Sequence, residues 1–218
     1  MIEVSTRRWT AADLRDRLAD AARDIGVRRG GVRVNATGLR GDHDFDPVLW
    51  PKGPLVPAAV LVPVVLHERG FAVLLTRRTA HLSAHAGQIS FPGGRLEADD
   101  AHAAAAALRE TEEEIGLPRD QVEVIGRLDT YVTRTGFEVT PIVGLILPPT
   151  SLRPDPFEVA EVFEVPLAFL LDPRNRERRA REFEGIRREF WAIPYGEYLI
   201  WGATAGMLVN LSEALLDQ

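Results

Sequence analysis

The stretch from Gly93 to Leu117, GGRLEADDAHAAAAALRETEEEIGL, constrains this chain more than any other. A glycine pair opens it where no regular element wants one. Asp99 or Asp100 then offers an N-cap, and the alanines from Ala103 to Ala107 begin a helix that runs to about Ile115, where Gly116 supplies a left-handed stop. Near its C-terminal end Glu110, Glu113 and Glu114 stand at spacings of three and four, on one helical face. Such a face is costly alone. Like charges at these spacings repel, and the C-terminal half of a helix disfavours anions. A divalent cation reverses the sign, because Mg²⁺ takes hard oxygen ligands converging from one side. For Glu-x-x-Glu-Glu by itself a solvated acidic face is the plain alternative. The neighbouring residues carry the argument further.

Arg109 directly precedes the first of these glutamates, and Gly116 and Leu117 follow the last. With the glycine pair they resemble the Nudix hydrolase signature, G-x5-E-x7-R-E-U-x-E-E-x-G-U with U apolar. Arg109, Glu110, Glu113, Glu114, Gly116 and Leu117 match its second half, and Thr111 stands where an apolar residue is usual. The first half is looser. Fourteen residues separate Gly94 from Arg109, one more than the pattern has, and its first Glu position falls on Ala101. That acidic role passes to Glu97, Asp99 or Asp100. Just upstream, LLTRRTAHLSAHAGQISFPGG resembles a second signature, L-L-T-x-R-(S/A)-x3-R-x3-G-x3-F-P-G-G, of the coenzyme A pyrophosphatase branch. Leu74, Leu75, Thr76, Arg78, Gly87, Phe91, Pro92, Gly93 and Gly94 match; Thr79 replaces Ser or Ala, and Ser83 replaces Arg. Together the two signatures span about a fifth of the chain.

Composition agrees with one enzyme-sized unit. A chain of 218 residues, 45% apolar and 27% charged, can bury one substantial core. The expectation is a single domain over residues 1–218, with an N-terminal helix and extension over 1–53 and the core over 54–218. There is no cysteine, which excludes disulfides and thiolate chemistry and fits a reducing, cytoplasmic setting. MIEVSTRRWT lacks the apolar core of a signal peptide, and the longest apolar run, Pro54 to Leu66, is broken by Pro57 and Pro63 and too short to span a bilayer. The reading is a soluble protein with no membrane partner. A net charge of −6 also argues against bulk nucleic-acid binding and leaves room for a local basic site that takes a small anionic substrate.

In chain order, a helix is expected from about Ala11 to Ile25, capped by Thr10. Residues 27–53 read as irregular connection, with Phe45, Leu49 and Trp50 as anchors on the core or on a second subunit, which allows a homodimer. Strands follow at Ala58 to Leu66 and Phe71 to Arg77, then, after the helix, at Val122 to Leu128 and Phe137 to Leu147, where Pro141 suggests an edge or a bulge. Asp129 to Gly136 reads as a loop. Residues 174–188 carry seven arginines among acids, a pattern of solvated surface from which one or two could complement a phosphate. A hairpin from about Glu182 to Ala192 leads to a closing helix, Thr204 to Leu216, whose Trp-Gly-Ala-Thr-Ala entry is read as packing without a catalytic role.

Strand neighbours point to opposite faces, so only one of Arg77 and Arg78 enters a site, and Arg78 is favoured as the phosphate partner. His81 and His85 could donate to phosphate but lack a third zinc ligand. Gly87, Gly93 and Gly94 suit backbone folded tightly near a cation. The resemblance implies the α+β Nudix fold, a mixed sheet sandwiched between helices. It also implies Mg²⁺ or Mn²⁺ held by Glu110, Glu113 and Glu114, with Arg109 orienting them, and a further carboxylate from outside the box, Glu158 ahead of Glu161. Substrate would be bound by Arg78, His85, Gly93 and Gly94. The implied reaction is hydrolysis of the coenzyme A or acyl-coenzyme A pyrophosphate to 4′-phosphopantetheine and adenosine 3′,5′-bisphosphate. The alternative is a related pyrophosphatase acting on ADP-ribose, NADH or a nucleoside triphosphate.

Overall fold

Two near-continuous apolar runs before Arg78 set the architecture. In the computed structural model, which describes residues 9–23, 39–80, 87–148, 151–183 and 186–216, they form β2 (Val56–His67) and β3 (Gly70–Arg78), a hairpin closed at Glu68 and Arg69. Preceding them are α1 (Ala11–Arg23) and β1 (Leu39–Gly41). Beyond lie β4 (Ile89–Ser90), β5 (Gly93–Arg95), α2 (Ala103–Ile115), β6 (Val122–Arg127), β7 (Thr130–Val132) and β8 (Phe137–Ile146). The chain closes with β9 (Val159–Pro166), α3 (Leu167–Leu171), β10 (Glu177–Phe183), β11 (Ile186–Tyr195), β12 (Tyr198–Trp201) and α4 (Gly202–Leu216).

Strands β1 to β9 make one mixed sheet, parallel where β8 meets β2 and where β1 meets β7 and antiparallel elsewhere. Period-two alternation splits its side chains between two cores. Ala59, Leu61 and Val65 of β2 pack with Ala106, Ala107 and Ile115 of α2. Val62 and Val64 face the other way, toward Leu14 and Leu18 of α1 and Leu208 and Leu211 of α4. The sheet is therefore sandwiched between helices, as the resemblance implied. Strands β10 to β12 form a separate antiparallel sheet against α4.

Several expectations change. Helix α1 is capped by Thr10 as anticipated, with reciprocal bonds between Thr10 and Asp13, but its described end is Arg23, and Ile25 lies outside the described residues. The region read as wholly irregular contributes β1 to the main sheet, and Leu49 is buried while Trp50 stays exposed. The expected loop after Asp129 contains β7. Helix α2 is capped by the His102 ring, which accepts the Ala105 N–H at 3.1 Å, and not by Asp99 or Asp100. Pro141 lies on a strand paired along both sides, not at an edge, at the position where β8 changes partner from β7 to β6. Pro63 marks a similar handover on β2, from β5 to β3. A missing N–H costs least where a ladder is already interrupted.

Candidate active site

The turn from β5 into α2 brings the carboxylates to the mouth of a cavity of about 890 Å³. Glu110 and Glu114 line it, one helical turn apart; Glu97, Glu158 and Arg78 line it too. Glu113 does not. Its position is rotated about 100° from Glu114 around the helix axis, so its carboxylate is more than half exposed and takes a 3.2 Å bond from Arg109. Among the described residues, no three acidic or histidine side chains converge closely enough to ligate an ion as they stand.

Glu114 is the most constrained of the group, only 5% exposed. The Gly93 N–H donates to its Oε2 at 3.2 Å, and an Arg78 guanidinium nitrogen lies 3.5 Å from its Oε1. Burial pushes its carboxyl up to about 7, against the pull of those two donors and with help from Glu158 and Glu110 nearby. Burial also raises Glu110, which the Arg109 guanidinium partly restores. Carboxylates crowded on one wall at this cost have the donor chemistry of a hard divalent cation. The residues therefore fit such an ion.

Glycine at 93 and 94 follows from close approach. Gly93 has φ 147°, and a Cβ there would strike the Ala59 carbonyl and the Val60 backbone. At Gly94 a Cβ would sit 2.5–2.6 Å from the Glu110 carboxylate, a side chain able to swing away. Gly94→Ala is thus expected to keep the fold, displace Glu110, and raise the metal concentration for half-maximal activity roughly 10- to 100-fold. A metal titration with an unchanged midpoint and unchanged rate would exclude that cradle.

Arg109 is the organiser. It donates through Nε and Nη2 to the two oxygens of Asp100 at 3.1 and 2.9 Å, to the Arg95 carbonyl at 3.2 Å, and through Nη1 to Glu110 at 2.9 Å. Of the three acids that could stand in for the first Glu of the signature, Asp100 makes the bidentate contact and Glu97 reaches only 3.8 Å from Arg109. The Arg109 contact holds Asp100 below the usual carboxylate range. Thr111, at the position where an apolar residue is usual, is buried and donates its hydroxyl to Ala107 O at 2.6 Å, which satisfies it within the helix.

Arg77 and Arg78 part company at an irregularity in the β3–β9 ladder. Arg77 pairs with Glu161 at 2.8 Å, whereas Arg78 turns into the cavity toward Glu114 and, at 4.0 Å, Glu158. Glu161 is further engaged by the Tyr198 hydroxyl. His81 and His85 lie outside the described residues. Sequence reading missed that Trp201, Gly202, Ala203 and Thr204, taken as packing, also line the cavity. Thr204 Oγ1 donates to Ile89 O at 3.0 Å and ties the start of α4 to β4. Asp42, also unnoticed, accepts from the Tyr131 hydroxyl and the Arg134 N–H, both at 2.8 Å, and so fixes the β7–β8 turn on the rim. Only its place in an Asp-His-Asp run marked it, and no local pattern tied it to a site 90 residues on.

Comparison with known proteins places residues 55–189 within the NUDIX domain. An uncharacterized Nudix hydrolase, NudL, of Escherichia coli (strain K12) is 44% identical over 160 residues, 71% of this chain and 80% of the relative. NudL of Citrobacter koseri gives the same identity and coverage. Among solved structures, an Ap4A hydrolase of C. elegans in a binary complex shares 21% identity with a TM-score of 0.44, covering 50% of this chain and 80% of that one.

Proposed function

The chain belongs to the Nudix hydrolase family, and from that premise we propose that it hydrolyses the pyrophosphate of coenzyme A or an acyl-coenzyme A with the help of Mg²⁺ or Mn²⁺. One observation carries the reading. The segment that resembles the coenzyme A pyrophosphatase signature builds a wall of the same cavity as the carboxylates, through Arg78, Gln88, Phe91, Gly93 and Gly94.

Glu110 and Glu114 would hold the ion from the cavity wall, and Glu113 would join them only by leaving Arg109 and turning toward it. Bound there, it would neutralise pyrophosphate charge and lower the pKa of a water. Arg78, a planar donor fork, pairs with a phosphate oxygen and draws the substrate onto Glu114. Glu158, 47% exposed at the turn before β9, approaches Arg78 only at 4.0 Å among the described residues and takes the proton of the attacking water. Water oxygen joins one phosphorus, and the bridging oxygen leaves on the other. Arg109 touches no substrate. It orients Glu110 and anchors the turn through Asp100.

The test is kcat/KM with Mg²⁺ for coenzyme A, 3′-dephospho-coenzyme A, ADP-ribose and NADH, with products separated by chromatography. Release of 4′-phosphopantetheine and adenosine 3′,5′-bisphosphate, with coenzyme A preferred by at least about tenfold over its dephospho form, supports the reading. Equal rates, or a preference for ADP-ribose, would leave the pyrophosphatase chemistry and remove the coenzyme A assignment. Ser83, where the signature has Arg, gives that second outcome its weight.

A further inference from the structure

Strand alternation in the small sheet places four side chains together. Arg181 of β10 stands directly opposite Arg188 of β11, and Ala192 of β11 stands opposite Trp201 of β12. Since alternate residues share a face, Arg188, Phe190 and Ala192 lie on one side of β11, and Arg181 and Trp201 join them. The other side carries Ile193 and Ile200 into the core, which fixes the sheet's orientation. Arg181, Arg188, Phe190 and Trp201 all line the cavity that contains Glu110 and Glu114.

Two features of this face need a reason. Like charges directly opposite across an antiparallel pair are destabilising, and Arg181 has no ion-pair partner among the described residues. Glu189, the acid that also reaches this cavity, is engaged by Arg187 at 3.5 Å. Beside the arginines, Trp201 is 36% exposed and packs edge-on against Phe190 at 5.4 Å. An anion held between two guanidinium groups offsets their repulsion, and an exposed indole face accepts a flat heterocycle. The three other cavity arginines are placed elsewhere: Arg78 sits at the carboxylates, Arg95 lies over the Phe137 ring at 5.4 Å, and Arg134 is on the β7–β8 turn held by Asp42.

We propose that this face of β10 to β12 is the subsite for a phosphorylated nucleoside, in which Arg181 and Arg188 clamp a phosphate outside the scissile pyrophosphate and Trp201 stacks on the base. The proposal rests on the coenzyme A reading and adds to it the residues that recognise the 3′-phosphate. It also moves that recognition away from the segment around Ser83.

The test uses binding without turnover, in EDTA, by calorimetry and by Trp fluorescence. Wild type is expected to bind adenosine 3′,5′-bisphosphate about tenfold or more tightly than adenosine 5′-monophosphate. In R181Q/R188Q that preference falls to within about twofold, while affinity for the monophosphate changes little and the Tm stays close to wild type. The single variant R181Q, at an exposed position, loses part of the preference. A preference that survives in the double variant, or none in wild type, overturns the subsite. The two readings fail separately. A bisphosphate preference that depends on the arginine pair, in a protein that does not cleave coenzyme A, upholds the subsite and removes the activity; cleavage of coenzyme A with a preference indifferent to the pair does the reverse.

Discussion

Replacing Glu114 by Gln is expected to lower turnover by on the order of 10²-fold or more and, in the absence of metal, to make the protein more stable above pH 7. The two effects have one origin. Burial holds the Glu114 carboxyl at about 7, so the folded protein binds this proton more tightly than the unfolded chain does. The resulting stability is complete below the ordinary carboxylate range and disappears as pH rises through about 7. Above that point an ionised, buried Glu114 costs on the order of 3 kcal/mol. Glutamine carries no charge and can still accept the Gly93 N–H. At pH 8 the metal-free variant should therefore melt roughly 5 °C higher than wild type.

Divalent metal should reverse the ranking. An ion that binds the folded state raises its Tm by mass action, and Mg²⁺ or Mn²⁺ should do so for wild type much more than for Glu114→Gln. Because binding must displace the Glu114 proton, the gain in wild type should grow as pH rises toward and through 7. Thermal melts with and without EDTA at pH 5.5, 7 and 8.5, alongside initial rates, measure all of this. An unchanged rate, or a variant no more stable than wild type at pH 8.5 without metal, would remove Glu114 from the centre of the site.

What could be read from residues alone follows the range of the forces involved. Elements fixed by local rules were legible. Gly116 ends α2 at φ 66°, Thr10 opens α1, and the apolar runs on either side of Glu68-Arg69-Gly70 marked β2 and β3. Elements fixed by partners distant in sequence were not. β1 and β7 have three residues each and exist because β1 pairs with β7 and β7 with β8, which no periodicity announces. Pro141 obeyed the rule for proline in strands, but the interruption that tolerates it is a change of neighbour and not an edge. The site divides in the same way. Helical spacing brought Glu110 and Glu114 to one wall, whereas Glu113 sits just far enough round the helix to be claimed by Arg109. The arginine-rich stretch, read as solvated surface from which one or two arginines could meet a phosphate, did not say which, because strand register and not composition decides which two meet across β10 and β11 and face the cavity.

Arg109→Met is expected to lower the Tm by on the order of 5–10 °C and activity by roughly 10- to 100-fold, a larger structural effect than loss of any one acid it touches. The guanidinium is 15% exposed and joins four points on two segments: Asp100 and the Arg95 carbonyl before the helix, Glu110 and Glu113 on it. Removing it leaves the Asp100 side chain, 6% exposed, facing Met, and leaves Glu110 with its burial uncompensated. Lysine should not rescue the loss, because a single ammonium cannot span Asp100 in a bidentate contact and also reach Glu110. Adding Asp100→Asn to Arg109→Met should recover part of the Tm, since it removes the stranded charge, and should recover no activity, since Glu110 remains unoriented. Full rescue by Arg109→Lys would mean that only the charge matters. A double variant no more stable than Arg109→Met would mean that Asp100 was never the principal partner.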